Sequence, residues 1–369
     1  MIRQRSCSGC YKGVRMKDRL TSEVHGGDIY RNRHVRIDFS VNTNPLGPPH
    51  ELTEAVRSKA EQISHYPDMH CVELTEALGR FENVPMEYLL CGNGAAELFY
   101  SAVLAVKPKK ALLLSPTFSE YERALKLLNT DIFYYELREE EQFQVREDIL
   151  YYIMRDVDMV FLCNPNNPTG QAIPKDLLEC IAKRCKEQGS FLVIDECFVD
   201  FLEHPELYEM KGELSGFPKI LIVKALTKLF CMPGLRMGYG MCSDRRLLRR
   251  MRAALQSWNV SALAQAGGIA AVKDCADYLE ETERLIRRER SFLADELKKL
   301  KFQVYGSHAN YIFFKDFLSN ERDLYDEALA AGFLIRDCSD YRGLFKGYYR
   351  IAVRTRAENE RMITWLRQL

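Results

Sequence analysis

The chain has 369 residues, 47% hydrophobic and 28% charged, which is the composition of a globular protein long enough for two domains. Its 52 basic residues balance 52 acidic ones, so it lacks the basic excess of a non-specific nucleic-acid binder. No apolar run approaches a membrane span, and residues 1–24, rich in Arg and Lys, have no apolar signal-peptide core. A cytoplasmic enzyme without nucleic-acid or membrane partners is expected.

Twelve cysteines are present, most of them inside apolar runs, as Cys163 is in Val-Phe-Leu-Cys and Cys242 after Tyr-Gly-Met. They read as small core residues in a reducing compartment. Cys7 and Cys10 form a C-x-x-C without a second half, so no metal is expected there.

In chain order, the stretch from His25-Gly-Gly-Asp through Ile37-Asp-Phe-Ser-Val-Asn42-Thr-Asn44-Pro-Leu-Gly is dense in Gly, Pro and Asn. It predicts an arm or loop rather than a packed element. Helices are expected over 51–63 and 74–81, with a break at Ser64-His-Tyr66-Pro-Asp. Leu89-Leu-Cys-Gly92-Asn-Gly94 reads as a strand turning through glycines into a helix. Its first N–H groups would be free for a phosphate, although the glycines alone would also serve a tight turn.

Apolar strands then alternate with helices: 111–115, a helix from Ser119, 131–135, a helix over 146–154, 159–163 and 191–195. Continuous apolar runs of this kind predict a mostly parallel sheet covered by helices on both faces. Asp195 closes one such strand, where an unpaired carboxylate is costly and should face a cation or cap the next segment. The run Lys219-Ile-Leu-Ile-Val predicts another strand, and Lys228 follows it at the edge where open α/β sheets bind ligands. Burial there would lower its pKa and free the amine to attack a carbonyl carbon, although the segment alone reads more simply as a surface lysine at a strand end.

Beyond Trp258 the pattern changes. Helices over 262–273 and 276–300, strands at 302–305, 310–314, 334–336 and 348–353, and a last helix from Ala357 predict a smaller α+β domain. The expected division is a leader and arm over 1–48, a large domain over 49–257 and a small one over 258–369.

Gly92-Asn-Gly94, Asn167-Pro-Thr-Gly170, Asp195-x-x-Phe198, Leu226-Thr-Lys228 and Gly234-Leu-Arg236-x-Gly238 resemble, in order and spacing, the pyridoxal-phosphate enzymes of the aspartate-aminotransferase fold. Together with His25-Gly-Gly-Asp and Tyr348-Tyr-Arg-Ile-Ala-Val, they are most similar to a decarboxylase branch acting on phosphorylated amino acids. Histidinol-phosphate aminotransferase is the alternative. The resemblance implies pyridoxal 5'-phosphate as cofactor, with Lys228 as its covalent anchor, Asp195 at the pyridine nitrogen and Asn167 at the phenolate oxygen. It also implies Phe118 stacked on the ring, and Gly94, Ala95, Ala96 and Arg236 around the cofactor phosphate. Tyr66 would reach the neighbouring site of a homodimer with shared active sites.

His25, Asn42, Arg336 and Arg350 would hold a small phosphorylated amino-acid substrate. The asparagine could equally close a local turn, and Arg336 could pair with the acidic run that follows it. Two departures stand out. Phe198 occupies a position that is usually Tyr in the aminotransferases, which favours the decarboxylase branch. Ala225 replaces a common Ser or Thr, leaving one phosphate hydrogen bond missing or supplied by Thr227.

Overall fold

A computed structural model describes residues 26–369. His25, Cys7 and Cys10, all singled out above, lie outside the described residues.

Thirteen strands occur among these residues: β1 Ile37–Asp38, β2 Leu89–Gly92, β3 Lys110–Ser115, β4 Asp131–Glu136, β5 Met159–Cys163, β6 Phe191–Asp195, β7 Ile220–Ala225, β8 Gly238–Met241, β9 Gln303–Val304, β10 Tyr311–Lys315, β11 Phe333–Leu334, β12 Arg336–Asp337 and β13 Tyr348–Ala352. Seven build the large sheet in the order β2-β8-β7-β6-β5-β3-β4. Strands β3 to β7 pair in parallel, and β8 runs antiparallel between β2 and β7. The sheet is thus mostly parallel, with one reversed strand that the glycine-rich run 234–240 did not reveal.

Successive side chains point to opposite faces, so an apolar run feeds two cores. Leu112, Leu114, Val160, Leu162, Leu192, Ile194, Ile220 and Ile222 enter one core. Ala111, Leu113, Met159, Phe161, Phe191, Val193, Leu221 and Val223 enter the other. Each fully buried aliphatic side chain of this kind contributes about 1.5–3 kcal/mol. Helices on both faces are therefore required by the sequence of the strands.

A second, antiparallel sheet has the order β12-β13-β10-β9, and β1 pairs in parallel with β11. The segment 334–336 therefore divides between two sheets rather than forming one strand. The segment 146–154 holds a 3-10 helix over Glu147–Tyr151 instead of an α-helix. Helices Lys175–Gln188, Arg245–Ala254 and Leu324–Ala330 add to those expected.

The arm departs most from expectation. Phe39, Ser40, Asn42, Thr43 and Asn44 are buried although only Ile37 and Asp38 are regular. Hydrogen bonds to the rest of the chain replace a regular ladder: Ala352 N–H donates to Phe39 O (2.7 Å) and Asn310 Nδ2 to Asn42 O (3.0 Å).

Candidate active site

Strand β7 runs into a one-turn helix, Leu226–Leu229, that carries Lys228. The arm fastens this turn. Asn44 N–H donates to Lys228 O (2.9 Å) and Asn44 Nδ2 to Leu229 O (2.9 Å). Its Oδ1 accepts from Leu46 N–H (3.1 Å), so Asn44 is a structural residue. The Lys228 amine is half-buried and, among the described residues, makes neither a hydrogen bond nor an ion pair. Burial first, then the positive charges of Arg350 and Arg236, lowers its pKa to about 8.

At the end of β2 the chain passes through Gly94, at φ 82°, into helix Ala95–Val106, which has no side-chain cap. A Cβ on Gly94 would lie 2.5 Å from Arg236 Nη2, and one on Gly238 would lie 2.5 Å from the nitrogen of Ala95. The two glycines thus bring the Arg236 guanidinium and the start of β8 against the free N–H groups of the helix. Arg236 has no hydrogen bond or ion pair among the described residues. An uncapped helix start beside an unpaired guanidinium suits a phosphate. Thr227, the residue expected to supply the hydroxyl absent at Ala225, has its own hydroxyl 3.4 Å from Met237 O.

Asp195 ends β6, is 5% exposed and has no cation beside it among the described residues. Tyr121 O–H donates to its Oδ2 (2.5 Å) and Cys197 N–H to its Oδ1 (3.0 Å). Burial pushes its pKa up against both bonds. A cation supplied by a ligand would complete this site. Phe118 packs edge-on against Tyr121, with ring centroids 5.7 Å apart.

Arg350, on β13, is 5% exposed. Its Nη1 donates to Asn167 Oδ1 and its Nη2 to Ser40 O (2.7 Å), while Nε has no partner. No carboxylate neutralises it among the described residues. Tyr341 O–H also approaches Asn167 Oδ1, at 3.4 Å, so the Asn167 amide is oriented with Nδ2 left to donate. Asn42 Nδ2 is buried without a partner, unlike the amide of Asn44. Orphaned donors on Asn42 and Arg350, an unpaired Arg236, an uncompensated Asp195 and a free Lys228 amine are the complement of an anionic aldehyde and an anionic substrate.

Arg336 behaves differently. It pairs with Arg350 across β12 and β13, yet its Nη2 is bound to both carboxylate oxygens of Asp340 (2.9 and 2.8 Å) and its Nη1 to Asp337 O (2.7 Å). Its guanidinium lies 5.0 Å from the Tyr341 ring centroid. The expected substrate clamp is therefore a local Arg–Asp pair in this structure. The acidic run after a strand-end arginine lies within reach of it. Tyr66 is 79% exposed and stacks on Trp258 at 4.5 Å between centroids, outside its own chain's cluster.

Tyr121, Tyr341, Cys197 and Ser40 are the contacts that sequence reasoning passed over. Tyr121 had a signal, lying three residues after Phe118 in the helix Glu120–Lys126 behind β3. For Tyr341, and for the two backbone groups, nothing in the sequence marks the contact.

Comparison with known proteins follows this geometry. A threonine-phosphate decarboxylase of Salmonella typhimurium is 37% identical over 95% of this chain and 97% of its own. An adenosylcobalamin biosynthesis bifunctional protein of Leptospira interrogans is 31% identical over 92% of this chain and 40% of its own. The crystal structure of the histidinol-phosphate aminotransferase from Clostridium acetobutylicum superposes with a TM-score of 0.84 at 28% identity, covering 90% of this chain and 98% of that one. The family profile of class I and II aminotransferases matches residues 35–366, and the chain belongs to that family.

Proposed function

We propose that this chain decarboxylates L-threonine O-phosphate to (R)-1-aminopropan-2-ol O-phosphate, a step of cobalamin biosynthesis, with pyridoxal 5'-phosphate as cofactor. The observation that carries this is the 37% identity to a threonine-phosphate decarboxylase along nearly the whole of both chains. Phe198 agrees with it, since it packs edge-on to Tyr311 at 5.2 Å and has no hydroxyl to offer a cofactor oxygen.

When bound, pyridoxal phosphate supplies an electron sink conjugated with the substrate carbon that loses carbon dioxide. Lys228 is the residue to hold it covalently, its amine already depressed to about 8. The N–H groups of Ala95 and Ala96 with Arg236 would bind the cofactor phosphate, and Gly94 leaves room for the guanidinium. Asp195, held by Tyr121 and Cys197, would keep a proton on the ring nitrogen. Asn167 Nδ2 would donate to the ring oxygen, and Phe118 would pack against the ring.

Arg350 and Asn42 take the substrate's anionic groups, because their unpartnered donors are buried and cannot turn to water. Arg336 joins them only by exchanging Asp340 for substrate phosphate. His25 is kept as a further phosphate donor. Two anions on one small substrate would give the site two handles by which to orient the bond to its carboxylate for cleavage. Lys228 then returns a proton to Cα.

The same proposal includes a cytoplasmic homodimer in which Tyr66 serves the neighbouring site. It places the boundary between large and small domains at 257/258, although helix Ala262–Val272 packs on helices His50–Ala60 and Val72–Glu82. Among the described residues, no helix is long and apolar enough to cross a membrane.

Incubation with O-phospho-L-threonine, O-phospho-L-serine and histidinol phosphate, scored for carbon dioxide and for amino-group transfer, tests the activity. Carbon dioxide with an amino-alcohol phosphate from the first substrate is expected. Efficient amino-group transfer from histidinol phosphate without carbon dioxide release from the others would replace this function by the aminotransferase alternative.

A further inference from the structure

The loop 338–347 leaves β12 just after Arg336 and returns as β13, the strand of Arg350. Between the two it reaches across to the large sheet. Ser115 Oγ, at the end of β3, donates to Arg342 O (3.0 Å), and Arg342 Nη2 donates to Glu122 Oε1 (3.2 Å). Gly343, at φ 83°, permits this approach, because a Cβ there would lie 3.1 Å from Ser115 Oγ. The neighbouring Tyr341 is fixed within the loop, its N–H donating to Cys338 O (3.1 Å) and its carbonyl accepting from Leu344 N–H (3.0 Å). Its ring faces the Arg336 guanidinium at 5.0 Å, and its hydroxyl stands 3.4 Å from Asn167 Oδ1, the one hydrogen-bond partner it has among the described residues.

A guanidinium only donates, so the Asn167 atom facing Arg350 Nη1 is the amide oxygen. That oxygen has two lone pairs, and Arg350 and Tyr341 each address one. The two contacts are unequal. Arg350 makes the closer one, whereas 3.4 Å is long for a hydroxyl donor. Arg350 is also the donor with a competing task, since its Nε has no partner and, on the function proposed above, a substrate anion draws the guanidinium. An Asn167 amide deprived of Arg350 could turn either end to the cofactor unless a second donor stays on Oδ1.

We infer that Tyr341 is a positioning residue, which takes over Asn167 Oδ1 when the substrate engages Arg350 and so keeps Nδ2 directed at the cofactor's ring oxygen. The inference rests on the cofactor and substrate roles proposed above. The hydroxyl closes on the amide as Arg350 withdraws, while the ring keeps its place against Arg336. Attachment of the loop at Ser115 and Glu122 holds Tyr341 to the large sheet, which also carries Asn167 in the turn after β5, so the contact does not depend on either arginine.

The full-length protein with bound cofactor would be titrated with pH by cofactor absorbance, alone and with saturating phosphoglycolate, which offers a carboxylate and a phosphate but no amine to react. A donor on the ring oxygen weakens that oxygen's hold on the proton it shares with the anchoring nitrogen, so losing the donor moves the midpoint to higher pH. Tyr341→Phe removes one oxygen and keeps the ring. It should match wild type without ligand and lie roughly half a unit to one unit higher with phosphoglycolate, the size of one hydrogen bond. In an Asn167→Ala background the same change should add nothing. Gly343→Ala, which presses the loop away from Ser115, should give a ligand-dependent shift of the same sign and decides the matter if Tyr341→Phe does not fold. Wild-type midpoints in both conditions, an equal displacement in both, or a displacement that persists without the Asn167 amide would each overturn the inference. Phosphoglycolate that does not bind would remove the substrate role of Arg350, and the inference with it. Because absorbance reports on the cofactor whatever the products are, failure to release carbon dioxide from O-phospho-L-threonine would count against the proposed function and leave this test standing.

Discussion

Tyr121 donates a hydrogen bond to Asp195 Oδ2 at 2.5 Å, joining the helix behind β3 to the end of β6 across 74 positions. Hydrogen bonds to charged groups contribute about 1.5–3 kcal/mol. In Tyr121→Phe the Asp195 pKa, already raised by burial, should rise further, and proton retention on the cofactor nitrogen should weaken. A roughly tenfold or greater loss of turnover is expected from a cost of this size. Steady-state kinetics with a cofactor-absorbance titration checks it, and wild-type values for both would remove Tyr121 from the site.

Asp195→Asn should keep the fold and bind cofactor while losing most activity, because a neutral amide cannot hold the ring nitrogen protonated. Lys228→Ala should abolish turnover with the fold intact. Circular dichroism beside turnover separates these outcomes from unfolding, and normal activity in either variant would contradict the assignment concerned.

The Lys228 amine titrates near 8 rather than 10.5. In cofactor-free protein its modification by an amine reagent, mapped by mass spectrometry, should rise with pH and level off above about 8. Because the folded pKa lies below the unfolded one, the unfolded chain binds more protons between the two values and stability increases with pH there. A Lys228→Met variant should therefore exceed wild type in Tm below pH 8. The difference should shrink as pH approaches 10.5.

Arg336 is bound to Asp340 in this structure, so on the proposed reading substrate phosphate would compete for it. Asp340→Asn should lower KM for O-phosphothreonine by freeing the guanidinium, whereas Arg336→Ala should raise it far more than it weakens unphosphorylated threonine. Equal effects on both ligands would make Arg336 structural. Abortive amino-group transfer should accompany Arg336→Ala if the phosphate clamp directs the carboxylate.

Tyr66, exposed and stacked on Trp258, should act on the partner's site. Mixing inactive Lys228→Ala and impaired Tyr66→Phe chains should restore activity in heterodimers, where one site receives both intact residues. No recovery under demonstrated subunit exchange would show that the sites are not shared.

The large sheet was legible because strands buried on both faces must be apolar nearly throughout, as Met159–Cys163 is and as Phe191–Asp195 is up to its final aspartate. Lys228 follows such a strand and Asp195 ends one, where a charged group can equally face solvent or cap the next segment, and it was the family resemblance rather than local pattern that singled them out. Asn42 and Asn44 could not be told apart in sequence, since both sit in the same polar run. Tertiary structure separated them by giving Asn44 the Lys228 turn to hold and leaving Asn42 Nδ2 without a partner. Arg336 and Arg350 both follow apolar residues in sequence; a local acidic partner for Arg336 was visible there, whereas only the fold leaves Arg350 with Asn167 and Ser40 and, among the described residues, no carboxylate. Local pattern determines which residues must be buried. Which buried donor remains unpaired depends on groups hundreds of positions away, and that is decided only when the chain closes around them.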